Sequence, residues 1–219
     1  VGLADPARLA GEVPALDLID PVVPSVGDLE ARARAAEAAA LAVAGVTKSD
    51  GASASYGIGG MVLATSHGFH GAYLRSSHSV AMTAIAGEGT GMERDYEFSA
   101  TLHAADLDAP ERIGRIAGER TVARLTPRKV ATCKVPVVYD PRVAGSLVGH
   151  LVGAANGAAI ARKASFLNGR LGAQLFRPGI RITDDPLRVR GLRSHPFHAE
   201  GVAVRPLAIV DDGVLASWL

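Results

Sequence analysis

A chain of 219 residues, 48% hydrophobic and 21% charged, has the make-up of one large soluble domain or one and a half small ones. A net charge of +1 and a pI near 8.1 argue against a general nucleic-acid binder, which would show a basic face and a higher pI, and no run of about 18 apolar residues offers a spanning helix. The single cysteine, Cys133, has no partner for an internal disulfide, which fits a reducing cytoplasm.

Residues 1–24 carry four prolines and little periodicity, and read as a leading segment rather than an element. The stretch SVGDLEARARAAEAAALAVAG, 25–45, predicts a helix. Ser25 can cap it, alanine and arginine favour it, and Gly45 can close it in a left-handed conformation. From Ala52 to Thr101, small and β-branched residues are broken by Gly57-Ile58-Gly59-Gly60 and by His67-Gly68-Phe69-His70-Gly71. That pattern predicts an antiparallel meander with hairpin turns at 57–60 and 67–71. RDYEFSATLHAADL, 94–107, supplies another strand, and Asp108-Ala109-Pro110 opens a helix over 110–124 with proline in its first turn. CKVPVVYD, 133–140, reads as a strand, and Asp140-Pro141 caps the helix GSLVGHLVGAANGAAIARK, 145–163. Residues 180–219 read as short strands and loops with an Asp211-Asp212-Gly213 hairpin turn. The fold class expected is α+β, antiparallel sheets with a few helices. A start at Val1 and an abrupt close on DDGVLASWL suggest a fragment of a larger two-domain chain, with no signal peptide in view.

The glycine-rich helix is the most informative element. Ala144, Leu147, Val148, Leu151, Val152, Ala155 and Ala159 share one face at helical spacing, which assigns that face to a core. Gly145, Gly149, Gly153 and Gly157 form a second stripe. Each interior glycine costs about 0.5–1 kcal/mol relative to alanine, so the stripe costs roughly 2–4 kcal/mol. Two readings stand: tight packing against a neighbouring strand or helix, or the floor of a peptide path or subunit seam. His150 lies beside the stripe and away from the apolar face.

The words VLATSHGF, MERDY, PERIGR, RLTPRKV, SLVGHLVGA, IARKASFL, GLRSHPF, EGV and DGVLASWL together resemble the TldD/PmbA family, in its PmbA (TldE) branch. Its members were once called modulators of DNA gyrase and are now regarded as metallopeptidase subunits. In the zinc-carrying TldD branch the corresponding helix reads HExxxH, followed closely by an arginine or lysine pair. Registered on Arg162-Lys163, that pattern falls on Gly149, His150 and Ala154, so no catalytic or metal residue is expected in this chain. A zinc site needs imidazole or thiolate ligands and a carboxylate to take a proton from bound water, and glycine and alanine supply neither. The resemblance implies two parts: 1–125, the end of an N-terminal α+β domain (helix, antiparallel meander, helix), and 126–219, the start of a C-terminal metallopeptidase-like domain lacking zinc ligands. It implies a non-catalytic subunit of a cytoplasmic TldD/TldE-type metallopeptidase, inactive without a zinc-carrying partner. That partner is a TldD-type paralogue in a heterodimer acting on short or unfolded peptides; the same seam could also pair with itself in a homodimer. Zinc belongs to the partner only, and neither membrane nor nucleic acid is bound. Gly149, His150, Gly153, Arg162 and Lys163 would face the substrate path or the seam. The alternative is a regulatory protein-binding module acting on gyrase or a toxin–antitoxin pair.

Other clusters offer weaker signals. His195-x-x-His198 with Glu200 is the best alternative metal cluster but lacks a third ligand, and His67, His70, His78 and His103 read as structural or solvent-facing. Cys133 has no nucleophile motif around it. Glu93-Arg94-Asp95 reads either as acid–base chemistry or as an ion-paired start of a strand. Arg188, Arg190 and Arg193 form a basic patch that could grip an anion or lie solvated in a loop.

Overall fold

The computed structural model describes residues 3–219. They gather into two compact units. The first holds the chain through Val130 together with Leu187–Val204; the second holds Ala131–Pro186 and Arg205–Leu219. The contiguous halves expected from the sequence, 1–125 and 126–219, differ from this clustering in two stretches, 126–130 and 187–204, both of which group with the first unit.

In the first unit, α1 (Val26–Leu41) and α2 (Pro110–Ala123) pack on a three-stranded antiparallel sheet of order β1-β2-β3. Its strands are β1 (Val46–Ala64), β2 (His70–Ala86) and β3 (Glu93–Thr101). Ser25 and Asp28 close a reciprocal capping box on α1, satisfying backbone donors that the first turn leaves orphaned. The helix ends at Leu41, short of Gly45, which takes φ +97° in the turn leading to β1. Alternate residues of β2, Val80, Met82 and Ala84, are fully buried against Ala36, Ala40, Ile113 and Ala117. This is the period-2 face of a strand meeting the apolar faces of two helices. The helices themselves approach closely. A Cβ on Gly114 would sit 1.9 Å from the Ala36 carbonyl oxygen.

The expected turn at 57–60 does not form. β1 runs through it unbroken, with Gly57 opposite Ser77 and Gly59 opposite Arg75. At Gly60 a Cβ would meet the Tyr73 carbonyl oxygen at 2.2 Å, so the glycine there permits a close ladder rather than a reversal. The one reversal between β1 and β2 lies at 65–69, where the Thr65 amide donates to the Phe69 carbonyl at 2.9 Å. Phe69 then packs edge-on against Phe197, with ring centres 5.0 Å apart, tying the hairpin tip to the 187–204 segment.

The leading segment has more order than its prolines suggest. Burial alternates through it, with Leu16, Leu18 and Asp20 buried and the residues between them exposed. Leu16 and Leu18 pack with Leu102, Tyr73 and Leu187.

In the second unit, α3 (Pro141–Ala154) and α4 (Gly157–Ala161) accompany a small antiparallel sheet of β4 (Ile182–Asp184), β5 (Leu207–Asp211) and β6 (Val214–Leu215). The Asp212-Gly213 turn joins β5 to β6 with both residues at positive φ, the geometry of a type I′ hairpin. Leu151 and Ala155 enter a core with Leu167, Ile209, Val210 and Leu215. The predicted strand at 133–140 is absent: those residues are exposed and form no ladder among the described residues. Their β-branched composition favours extended backbone, but a strand needs a neighbour to accept its hydrogen bonds.

Candidate functional site

The helix predicted over 145–163 is two helices. Asp140 caps α3 by accepting from the Arg142 amide at 2.9 Å, with Pro141 in the first turn. Asn156 interrupts the run because its side-chain oxygen caps a new helix, accepting from the amides of Ala158 at 3.0 Å and Ala159 at 3.3 Å. The Ser165 hydroxyl donates to the Ala154 carbonyl at 2.6 Å and satisfies the end of α3. Gly149, His150 and Gly153 therefore share α3, whereas Arg162 and Lys163 close α4 beyond the break. A single helical wheel cannot carry one group onto the other.

All five of these residues are exposed. The glycine stripe is not packed at three of its four positions. A Cβ built on Gly145, Gly149 or Gly153 meets nothing within 4 Å, while at Gly157 it would come 2.9 Å from the Leu219 carbonyl oxygen. The core face of α3 is covered only near its end. Leu151 is buried, but Val143, Leu147 and Val148 are 50%, 49% and 44% exposed. This helix thus presents a bare apolar half and a bare glycine track on one element, with His150 beside them.

The alternative clusters resolve differently. His195 and His198 have ring centres 5.5 Å apart, and the His195 Nδ1 pairs with the Arg193 carbonyl at 3.0 Å. Among the described residues no three of His, Cys, Asp and Glu come together in a way that could hold a metal ion. Glu93, Arg94 and Asp95 are divided among ion pairs: Glu93 with Arg124 at 3.6 Å, Arg94 with Asp50 at 3.4 Å, and Asp95 with Arg124 at 3.5 Å. Arg190 pairs with Asp17 at 2.5 Å and Asp106 at 3.2 Å, so the basic patch is partly neutralised, while Arg188 and Arg193 are exposed. His67 pairs with the Ala4 carbonyl at 3.1 Å, and Cys133 is exposed.

A polar cluster that sequence reasoning missed lies in the first unit. Asp20, 5% exposed, stands 3.1 Å from the His78 Nε2 and 3.9 Å from the His103 Nδ1. Its carboxylate accepts from the amides of Ala104 at 2.7 Å and Val22 at 2.9 Å, and these bonds hold its pKa below the ordinary carboxylate value. Asp20 approaches His78 out of line with the ring, so neither nitrogen of His78 makes a hydrogen bond among the described residues. Burial pushes the His78 imidazole down, against the pull of Asp20. The signal available was the alternation Leu16, Leu18, Asp20, which marks an extended segment with one buried face.

Comparison with known proteins covers both units. Residues 19–125 match the model of the PmbA/TldA metallopeptidase central domain, and residues 132–219 match that of the PmbA/TldA metallopeptidase C-terminal domain. The whole chain is 39% identical to the metalloprotease PmbA of Escherichia coli O157:H7 and 34% identical to the metalloprotease PmbA homolog of Haemophilus influenzae. It spans about half the length of these curated relatives, 49% in each case. Among solved structures it is similar to a protein of Bacteroides thetaiotaomicron described as a proposed modulator of DNA gyrase, with a TM-score of 0.89 and 29% identity over 99% of this chain and 50% of that one. It also shares the fold of TldE from Thermococcus kodakarensis, with a TM-score of 0.75 and 19% identity over 100% of this chain and 49% of that one.

Proposed function

Because the chain belongs to the PmbA/TldD metallopeptidase family, we propose that it is a non-catalytic subunit of a cytoplasmic peptidase of the TldD/TldE type. Its partner is a zinc-bearing TldD-type paralogue, at whose metal short or unfolded peptides are cut; pairing with a second copy of the chain would use the same seam but supply no metal. The observation that carries this reading is the chemistry of α3. The positions registered on the zinc helix hold Gly149, His150 and Ala154, and a lone exposed imidazole does not fit a zinc ion that needs three ligands and a general base. The bare track and apolar half of α3 support a role in contact, because an isolated helix of this length with interior glycines is marginal in water. No helix among the described residues is long and apolar enough to cross a membrane.

The test is zinc content and peptide cleavage for the full-length protein alone and mixed with its TldD-type paralogue. The expected result is no stoichiometric zinc and no cleavage alone, with an active zinc-bearing pair on mixing. About one zinc per chain with cleavage by the protein alone overturns the reading. No pairing at all favours a regulatory protein-binding role instead. Gly149→Leu sharpens the test. It is expected to leave the chain folded, since nothing lies within 4 Å of its Cβ position, and to weaken pairing at least tenfold by titration.

A further inference from the structure

The cluster around Asp20 joins three segments where the β2–β3 ladder ends. The leading segment supplies Asp17 and Asp20, β2 supplies Ser76 and His78, and the turn after β3 supplies His103 and the Ala104 amide. Ser76 accepts from the Asp20 amide at 2.8 Å and donates to the Leu102 carbonyl at 2.6 Å, and the Ser76 amide donates to the Leu18 carbonyl at 3.0 Å. The segment thus lies along the part of β2 that extends beyond its pairing with β3, which stops at His78.

We infer that the Asp20–His78 contact is an acid-sensitive latch that holds residues 16–22 against β2 and releases them when His78 takes up a proton. The chemistry follows from the surroundings. His78 is 1% exposed, has Tyr56 tilted against it with ring centres 4.8 Å apart, and lacks an aligned acceptor at either nitrogen. An imidazolium there loses its water and gains the Asp20 carboxylate at 3.1 Å, and the loss is the larger effect. The other charged groups facing the cluster are Asp17 and His103, which contact each other at 3.4 Å, Arg190 and Asp106 beyond them, and Arg32 of α1. Arg32 opposes a proton on His78 and Asp20 favours it, with burial the larger effect. A histidine depressed below its ordinary value of 6.5 keeps the segment docked above that pH. Docking weakens as the pH falls further, because the released form binds the proton better.

The test is amide exchange on the chain between pH 7.5 and 5.5, corrected for intrinsic rates, with the His78 ring followed by NMR. The amides of Asp20, Val22, Ser76 and Ala104 are expected to lose up to about fivefold protection between pH 6.5 and 5.5, the limit for one proton linked to a released-state value of 6.5. Residues 80–86, under the helices, are expected to keep theirs. H78Q is expected to remove the pH response. Three results overturn the latch: unchanged protection at these four amides, equal loss at 80–86, which marks unfolding of the whole unit, or an H78Q chain that still responds. Should H78Q not fold, a wild-type His78 ring that titrates near 6.5 without the linked opening overturns it as well.

Discussion

Gly114 and Gly149 carry the same missing side chain into opposite surroundings. At Gly114 a Cβ would lie 1.9 Å from the Ala36 carbonyl oxygen, a collision with backbone that cannot swing aside. Gly114→Ala is expected to force α1 and α2 apart and lower stability by about 1–3 kcal/mol, the usual cost of overfilling a packed contact, read as a lower urea midpoint. At Gly149 the same substitution meets open space. Gly149→Ala is expected to raise the stability of the unassembled chain by about 0.5–1 kcal/mol, because alanine loses less backbone entropy in a helix. Retaining glycine there against that gradient is what a surface used for close contact predicts. A melting curve of the two variants side by side separates the cases, and a Gly149→Ala chain that melts lower than wild type removes the argument.

Among the elements, those written in local chemistry were legible and those decided by distant partners were not. Both helices of the first unit follow from their start signals: the Ser25 cap at one, Pro110 in the first turn of the other. Ser25→Ala is expected to cost about 1 kcal/mol through loss of that cap, measured by thermal melting, and an unchanged melt would show that packing alone holds the first turn. The register of α3 was readable, but its end was not. Helical spacing alone carries the helix through Asn156, whereas its side chain prefers to cap a fresh one. Gly57-Ile58-Gly59-Gly60 misled for a related reason, since a glycine cluster signals either a turn or a close ladder and only the opposite strand decides which. The strand expected at 133–140 has no neighbour among the described residues. Of the candidate site, the placing of His150 away from the apolar face was legible; the open space over the glycines was not, because emptiness has no sequence signature.

For the molecule as a whole, two depressed pKa values set one direction of pH dependence. His78 and Asp20 both favour their deprotonated forms in the folded chain. The stability these two groups contribute is therefore complete above the ordinary histidine value of 6.5, declines as the pH falls below it, and declines again below the ordinary aspartate value of 3.8. Urea midpoints across that range are expected to fall in two stages, and a midpoint that rises on acidification would mean that other groups dominate.

The 187–204 segment imposes an order in time. Arg190 reaches back across 173 residues to Asp17, and its amide bonds the Leu16 carbonyl. The first unit cannot complete these contacts until the ribosome has made nearly all of the second. At about 5–20 residues per second, the leading segment waits roughly 10–35 s for its partner. During that interval Leu16, Leu18 and the rings of Phe69 and Tyr73 lack the cover that Leu187 and Phe197 later supply. The nascent chain therefore passes through a long window in which a chaperone has something to hold.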